Sequence, residues 1–421
     1  MLAALLLFIG PVLQTGDLPN QYEILEHLKV NVKEQLALAA NYTCVETIER
    51  TYYQERHACV DGGHSKREEF MRDRLRLDVA VSQGTEIFSW HGEDRFTSSD
   101  ISKIIHNGPQ TSGQFVGFLR NIFQTPGVQF NFNGSSQLNG RTVYNFGYVV
   151  QLLRSNYFVK GREEGTVLPY HGDFSVDAET FDLVRLDIIA DQVPLSSGIC
   201  GAETDIEYQL VNISGRQDLL PASFELKMRA NNDLYTVTHT DYQQCREFRG
   251  ESTLHFTAID PGTAVAKKRV IDEPLPAGMT FRAKLNTDID DRTAYMGDAV
   301  EATLDETLRL PGTNTIIPKG ATLHGVISKV EQHSELMPYW LFSIKFERMN
   351  AGEDSYILNA SPLLASDTAA LNPRFQGRRI LSSASADAAK QGFWLMYGQH
   401  FRLPKHVTLY WRTERLNAPN S

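Results

Sequence analysis

Thr204-Asp205-Ile206-Glu207-Tyr208-Gln209-Leu210 sets a side chain suited to burial against a charged or polar one at every step. That period of two is the signature of a β-strand with one face packed and one face wet. The next segments repeat it: Phe224, Leu226 and Met228 stand against Glu225, Lys227 and Arg229, and a Thr-rich strand runs from Tyr235 to Cys245. Working outward, Leu75, Leu77, Val79 and Val81 alternate with Arg72, Arg74 and Arg76 over Phe70 to Val81, and the arginine side is expected to be a solvated face. Further strands are predicted over Thr43 to Tyr53, Val128 to Phe132 and Thr142 to Val150. A hairpin from Tyr170 to Ile189 should turn on Asp177, Ala178, Glu179 and Thr180. The fold class is therefore mainly β with a few helices: an antiparallel half-barrel covered by helices, followed by a smaller β-barrel or sandwich.

Two helices interrupt the strands. Tyr22 to Ala40 places Ile24, Leu25, Leu28, Val32 and Leu36 at helical spacing, with Glu26, Lys29, Lys33 and Glu34 largely on the other side. Gln114 to Gln124, capped by Thr111 or Ser112, should present Phe115, Phe118, Leu119, Ile122 and Phe123 on one side. These five residues are the candidate ligand-binding set. The same spacing is also what plain packing between helix and sheet requires.

Length points to two domains, because 421 residues exceed one ordinary core. The boundaries read as 1–16 for an export signal, 17–250 for the first domain, 251–272 for a linker and 273–415 for a C-terminal β-barrel. In the second domain one grammar recurs: Leu275-Pro276-Ala277-Gly278-Met279-Thr280-Phe281, Ile317-Pro318-Lys319-Gly320-Ala321-Thr322-Leu323 and Leu403-Pro404-Lys405-His406-Val407-Thr408-Leu409. Each should be a turn that opens a strand at its Thr. The Ser-, Ala- and Asp-rich stretch from Ala365 to Gln391 is expected to be a long insertion.

Composition is globular, with 42% apolar and 22% charged residues. A net charge of −10, with 41 basic residues dispersed among 51 acidic ones, argues against nucleic acid as a partner. Leu2 to Leu13 is apolar, long enough for a signal-peptide core and short of the roughly twenty residues of a spanning helix. No later run reaches that length, so the mature chain is expected to be periplasmic or secreted, with no transmembrane segment. Cys44, Cys59, Cys200 and Cys245 fit an oxidising compartment as disulfides. Proximity favours Cys44 with Cys59 and Cys200 with Cys245, each contributing about 3–4 kcal/mol. Against the second pair, three successive antiparallel strands would put its sulfurs at opposite ends of the meander.

Leu275 to Val330 resembles the C-terminal β-barrel of the TrbI-like family of type IV secretion channel proteins. The resemblance rests on Gly278-Met279-Thr280, Ala283, Leu285, Thr287, Gly297, Val300, Ala302, Ile317-Pro318-Lys319-Gly320, Leu323 and Gly325. It implies a barrel module and not the channel role. The amphipathic first helix, the long strands, the aromatic segment Phe115 to Phe123 and Leu220-Pro221-Ala222-Ser223-Phe224-Glu225 resemble the LolA-like fold of periplasmic lipoprotein carriers. That likeness implies a curved sheet and helices enclosing an apolar cleft.

The sequence carries no nucleophile elbow, P-loop, dinucleotide fingerprint or His-Glu-x-x-His. Asp288, Asp290 and Asp291 lack the glycine of a calcium loop, and His171 and His239 are single strand histidines. His57, Cys59 and His64 could hold a metal by residue type alone, without the spacing of a zinc site. No cofactor is expected. The chain therefore reads as a non-enzymatic envelope protein that binds an apolar ligand or a lipidated partner and docks to another envelope protein. The alternatives are a structural or assembly component of an envelope complex, and a hydrolase with a noncanonical site.

Overall fold

The computed structural model describes residues 20–38, 42–56, 59, 66–82, 84–93, 95–160, 165–194, 197–247, 269–271, 274–334, 337–363 and 393–415. The expected export signal, the insertion 365–391 and most of the expected linker lie outside the described residues.

The first half contains helix α1 (Gln21–Leu38) and strands β1 (Tyr42–Glu55), β2 (Arg67–Ser82), β3 (Thr85–Trp90), β4 (Gln129–Leu138), β5 (Arg141–Val150), β6 (Tyr157–Lys160) and β7 (Gly165–Leu168). It continues with β8 (Tyr170–Asp177), β9 (Leu183–Ala190), β10 (Ile199–Ile213), β11 (Arg216–Ala230) and β12 (Leu234–Glu247). Their pairings run β3-β2-β1-β12-β11-β10-β9-β8-β5-β4, antiparallel throughout. β6 and β7 form a separate hairpin. One row of paired residues crosses the inner face as Leu75, Ile48, Thr240, Phe224, Ile206 and Leu186. Helix α1 lies on the same core and buries Ile24, Leu28 and Val32 completely, each worth roughly 1.5–3 kcal/mol.

The second half contains β13 (Arg269–Ile271), β14 (Thr280–Leu285), β15 (Ile289–Asp290), β16 (Ala299–Leu304), β17 (Leu308–Arg309), β18 (Ile316–Ile317) and β19 (Thr322–His333). After these come β20 (Tyr339–Ala351), β21 (Asp354–Pro362), β22 (Trp394–Tyr397), β23 (Arg402–Leu403) and β24 (Thr408–Thr413). The pairings β14-β16-β19-β20-β21-β24 return to β14, so this sheet closes into a barrel. Phe281, Phe342, Ile344, Phe346 and Trp411 fill it. The end of the expected linker, Arg269–Ile271, enters this sheet as β13, parallel to β21.

The recurring corner behaves as its sequence dictates. β14, β19 and β24 open at Thr280, Thr322 and Thr408. The fourth residue of each corner is left-handed: Gly278 at φ 88°, Gly320 at 96° and His406 at 68°. The amides of Ala321 and Val407 donate to the carbonyls of Pro318 and Pro404, which closes the turn around that residue.

The arginine face of β2 is solvated as expected only at Arg72; the second barrel covers Arg74 and Arg76. Arg76 donates to Asp298 at 2.6 Å, and Arg74 to the carbonyl of Asp291 at 2.5 Å. The Tyr295 ring stands 4.1 Å from the Arg76 guanidinium carbon. β19 pairs with β2 through Glu331 opposite Asp73, and Leu75 bridges Met296. Gly297 (φ 100°) tolerates no side chain here, since a Cβ would meet the Arg76 carbonyl oxygen at 2.5 Å. Alternation identifies the face that avoids the local core. Whether water or another domain covers it depends on contacts more than two hundred residues away.

The disulfides join Cys44 to Cys245 and Cys59 to Cys200, correcting the pairing expected from proximity. β1 closes on β12, so Tyr42 faces Glu247 and Cys44 falls beside Cys245. The register slips there by one residue and Gln244 takes φ 53°, a bulge that turns Cys245 toward Cys44. Cys200 and Cys245 do lie at opposite ends of the meander, as strand arithmetic requires. The bridge at Cys59 also removes it from the His57 and His64 metal reading, whose histidines lie outside the described residues.

Candidate functional site

Between β3 and β4 the chain crosses the inner face of the half-barrel with little regular structure. It has a single 3₁₀ turn (Ile101–Lys103), a one-turn helix α2 (Gly117–Leu119) and a π turn (Arg120–Gln124). A long irregular connection in a packed domain is characteristic of lids and binding loops.

The expected helix from Gln114 is thus shortened to begin at Gly117, and neither Thr111 nor Ser112 caps it; the N-cap position is Val116, without a side-chain bond. The backbone before Gly117 is not helical: Gly113 takes φ 104° and Val116 φ −131°. The Glu86 carboxylate accepts from the amides of Gly113 at 2.7 Å and Phe115 at 3.0 Å and so holds this turn on the sheet.

Phe115, Phe118, Leu119, Ile122 and Phe123 are brought together in one layer, and all are buried. Phe115 meets Tyr242 edge-on at 4.7 Å, Phe123 meets Phe174 at 5.1 Å and Phe118 meets Tyr157 at 6.0 Å between centroids. They occupy the concave face and do not line an open cleft. An open concavity of about 340 Å³ instead lies on α1, lined by Tyr22, Glu23, Glu26, His27 and Val30.

Irregular backbone laid on an apolar surface needs hydrogen bonds from somewhere. Here three side chains of the sheet supply them. From β1, Arg50 gives Nη1 to the carbonyls of Asn107 at 2.7 Å and Pro109 at 3.3 Å. Its Nε and Nη2 grip both oxygens of Asp73 at 2.7 and 2.6 Å. Burial pushes the Asp73 carboxyl up from its ordinary value, and Arg50 pulls it back. From β3 comes Glu86, and from β10 the Tyr208 hydroxyl donates to the Gln114 carbonyl at 2.8 Å. Gly108 passes so close that a Cβ would meet the Tyr52 hydroxyl at 2.2 Å. Residues 107–115 are therefore strapped to the sheet by polar side chains, while the residues around them fill the concavity.

Beneath the strap lies Glu46, buried on β1. Burial, and then the charge of Glu86, push its carboxyl up to about 8. Tyr242 donates to Glu46 Oε1 at 3.3 Å. Among the described residues, Glu46 Oε2 and the hydroxyls of Thr236, Thr238 and Thr240 have no hydrogen-bond partner. Because its folded pKa lies above its unfolded value near 4.5, Glu46 keeps a proton in the folded state that it loses on unfolding. Its contribution is intact below about pH 4.5 and is lost as pH rises toward 8. Glu46→Gln is therefore expected to raise stability at pH 8.5 by roughly 1–3 kcal/mol and to leave it nearly unchanged at pH 4.5. Urea unfolding at the two pH values checks this; equal effects at both would contradict it.

The strap residues were missed from the sequence, although the signal was present. Tyr42, Cys44, Glu46, Ile48, Arg50 and Tyr52 share one parity of β1, so Glu46 and Arg50 belong to the buried face. Charged residues on a core-facing parity call for partners. The candidate histidines do not join the site: His171 contacts Asp191 at 3.3 Å and His239 contacts Asp241 at 3.4 Å, both on exposed strand faces. Asp290 bonds the amide of Arg292, and Asp291 the amide of Phe401, as turn acids do. No group of three or more metal-type side chains gathers among the described residues.

No protein-family model matches the chain, and no curated protein matches it. Solved structures similar to it include a DUF1329 family protein from Desulfovibrio piger, at 12% identity and TM-score 0.26 over 56% of this chain and 96% of that one. A LolA superfamily protein from Nitrosomonas europaea is similar at 9% identity and TM-score 0.25, over 56% and 97%. Lipoprotein LppX from Mycobacterium tuberculosis is similar at 9% and 0.21, over 55% and 98%. The fold described above rests on the strand register of this chain itself.

Proposed function

We propose that this is a non-enzymatic, exported binding protein that admits an apolar ligand, or the lipid of a modified partner, beneath residues 101–124. One observation carries the proposal. The concave face is covered by an irregular segment whose apolar side chains fill it and whose backbone is held by a few polar side chains. Lifting such a cover exposes an apolar surface once its straps, the bond of Gln124 to the Lys29 carbonyl and that of Asn156 to Asn121 release together. Two disulfides and the apolar N-terminal run support an oxidising, periplasmic-type or secreted location. The second barrel, covering β2 with one side, leaves its other corners to dock an envelope component.

Delipidated protein titrated with a fluorescent fatty-acid analogue tests the ligand site. Phe118→Ala empties volume that the ligand would otherwise contest and is expected to tighten binding several-fold, whereas Phe118→Asp should weaken it roughly tenfold. Circular dichroism establishes that both variants fold. Equal affinity in wild type and both variants would exclude the proposed site.

A further inference from the structure

Three threonines stand in a row on the inner face of β12. Thr236, Thr238 and Thr240 are 1%, 2% and 0% exposed, and among the described residues none of their hydroxyls has a hydrogen-bond partner. Alternate residues of a strand share a face at a spacing of roughly 6.5 Å, so the row spans about 13 Å. Valine has the same shape and the same preference for strands, and a buried hydroxyl left unpaired costs stability. Core packing therefore gives no reason for hydroxyls at these positions.

The row runs along the strap. Thr236 lies opposite Tyr52, Thr238 opposite Arg50 and Thr240 opposite Ile48, and the next inward residue, Tyr242, lies opposite Glu46. At one end Gly108 approaches the Tyr52 hydroxyl and Arg50; at the other, Phe115 packs on Tyr242. On its far side the row pairs with Met228, Leu226 and Phe224 of β11. The strap brings buried polar atoms of its own without partners, Gln110 Oε1 and Gln114 Nε2. A few polar groups set into an apolar surface are what orients a mostly apolar ligand.

Charge narrows the class of ligand. Arg50 commits Nε and Nη2 to Asp73 and Nη1 to two carbonyls, so its charge is already matched. The buried carboxyls of Glu46 and Glu86 lie toward the Tyr242 end and disfavour an anion. Neutral hydroxyls, each able to donate once and accept twice, suit ester and hydroxyl oxygens.

We propose that the threonine row holds the uncharged ester and hydroxyl oxygens of an acylglycerol. This names the ligand class of the site proposed above and rests on that reading. The acyl chain lies on the apolar surface that the cover leaves, and the threonine hydroxyls gain partners when the ligand enters.

The test is displacement of N-phenyl-1-naphthylamine, an uncharged apolar probe, from the delipidated full chain by monolaurin, dodecanoate or dodecane. Wild type should bind monolaurin more tightly than either of the others. Thr238→Val/Thr240→Val should lose roughly tenfold in affinity for monolaurin, the worth of one or two hydrogen bonds, and none for dodecane. Its urea midpoint should rise, since the hydroxyls it removes lack partners in the ligand-free chain. Thr238→Ser/Thr240→Ser should keep the wild-type preference, and Thr47→Val, on the opposite face of β1, should alter neither affinity. Monolaurin bound equally by wild type and the valine variant overturns the proposal, as does a wild type that prefers dodecanoate. A lowered urea midpoint in the valine variant equally overturns it, because the hydroxyls would then already be paired. Any of these results with dodecane still bound leaves the apolar site standing, whereas a chain that binds none of the three ligands overturns both.

Discussion

A chain carrying Cys44→Ala and Cys245→Ala is expected to lose about 4 kcal/mol of stability. This bridge spans 201 residues, but the bridge from Cys59 to Cys200 is nested inside it and shortens the loop it closes to roughly 60. In the chain-entropy model a loop of that size restricts the unfolded ensemble by about 4 kcal/mol. Its place gives the loss a structural consequence. β1 and β12 are interior strands of the half-barrel, and Cys44 lies two residues from Glu46 on the same buried face. Guanidinium unfolding of the variant should show a lower midpoint and a steeper dependence, because the unlinked chain exposes more surface. A loss below 1 kcal/mol would mean that strand pairing alone fixes this closure.

Arg50→Ala is expected to cost about 3–5 kcal/mol, since it strands Asp73 without its buried partner. It also strips the carbonyls of Asn107 and Pro109 of their donor. The effect should be smaller in acid, where Asp73, already pushed up by burial, takes a proton and sheds its charge. Replacing both partners, Arg50→Met/Asp73→Leu, should recover much of the stability, yet amides 107–116 should still exchange hydrogen faster than in wild type. Stability and cover opening thereby separate. Unchanged exchange in this segment would show that Arg50 does not hold it.

The strands were legible because burial on one side imposes a period of two that no loop imitates over eight residues. The corners at Thr280, Thr322 and Thr408 were legible for a related reason: a left-handed turn residue after Pro, then a β-branched residue, leaves few local alternatives. Disulfide pairing was not, because β1 meets β12 across some two hundred residues and a one-residue bulge decides where Cys245 points. For the arginines of β2, alternation gives a parity and is silent on a covering domain. The phenylalanine segment shows the limit most clearly. Spacing at 115, 118, 119, 122 and 123 satisfies a helix, yet Gly113 at φ 104° and Val116 at φ −131° keep the backbone out of one until Gly117. The residues were identified together, while the turn before them is held by Glu86, 29 residues before Phe115.

Native mass spectrometry of the chain from about Gly16 onward, purified without detergent from a bacterial periplasm, tests the central claim most directly. The account predicts an added mass matching a phospholipid or fatty acid, removed by organic extraction and diminished in Phe118→Asp. A bare chain from every preparation, in a protein that also fails to take up added fatty acid, would contradict it.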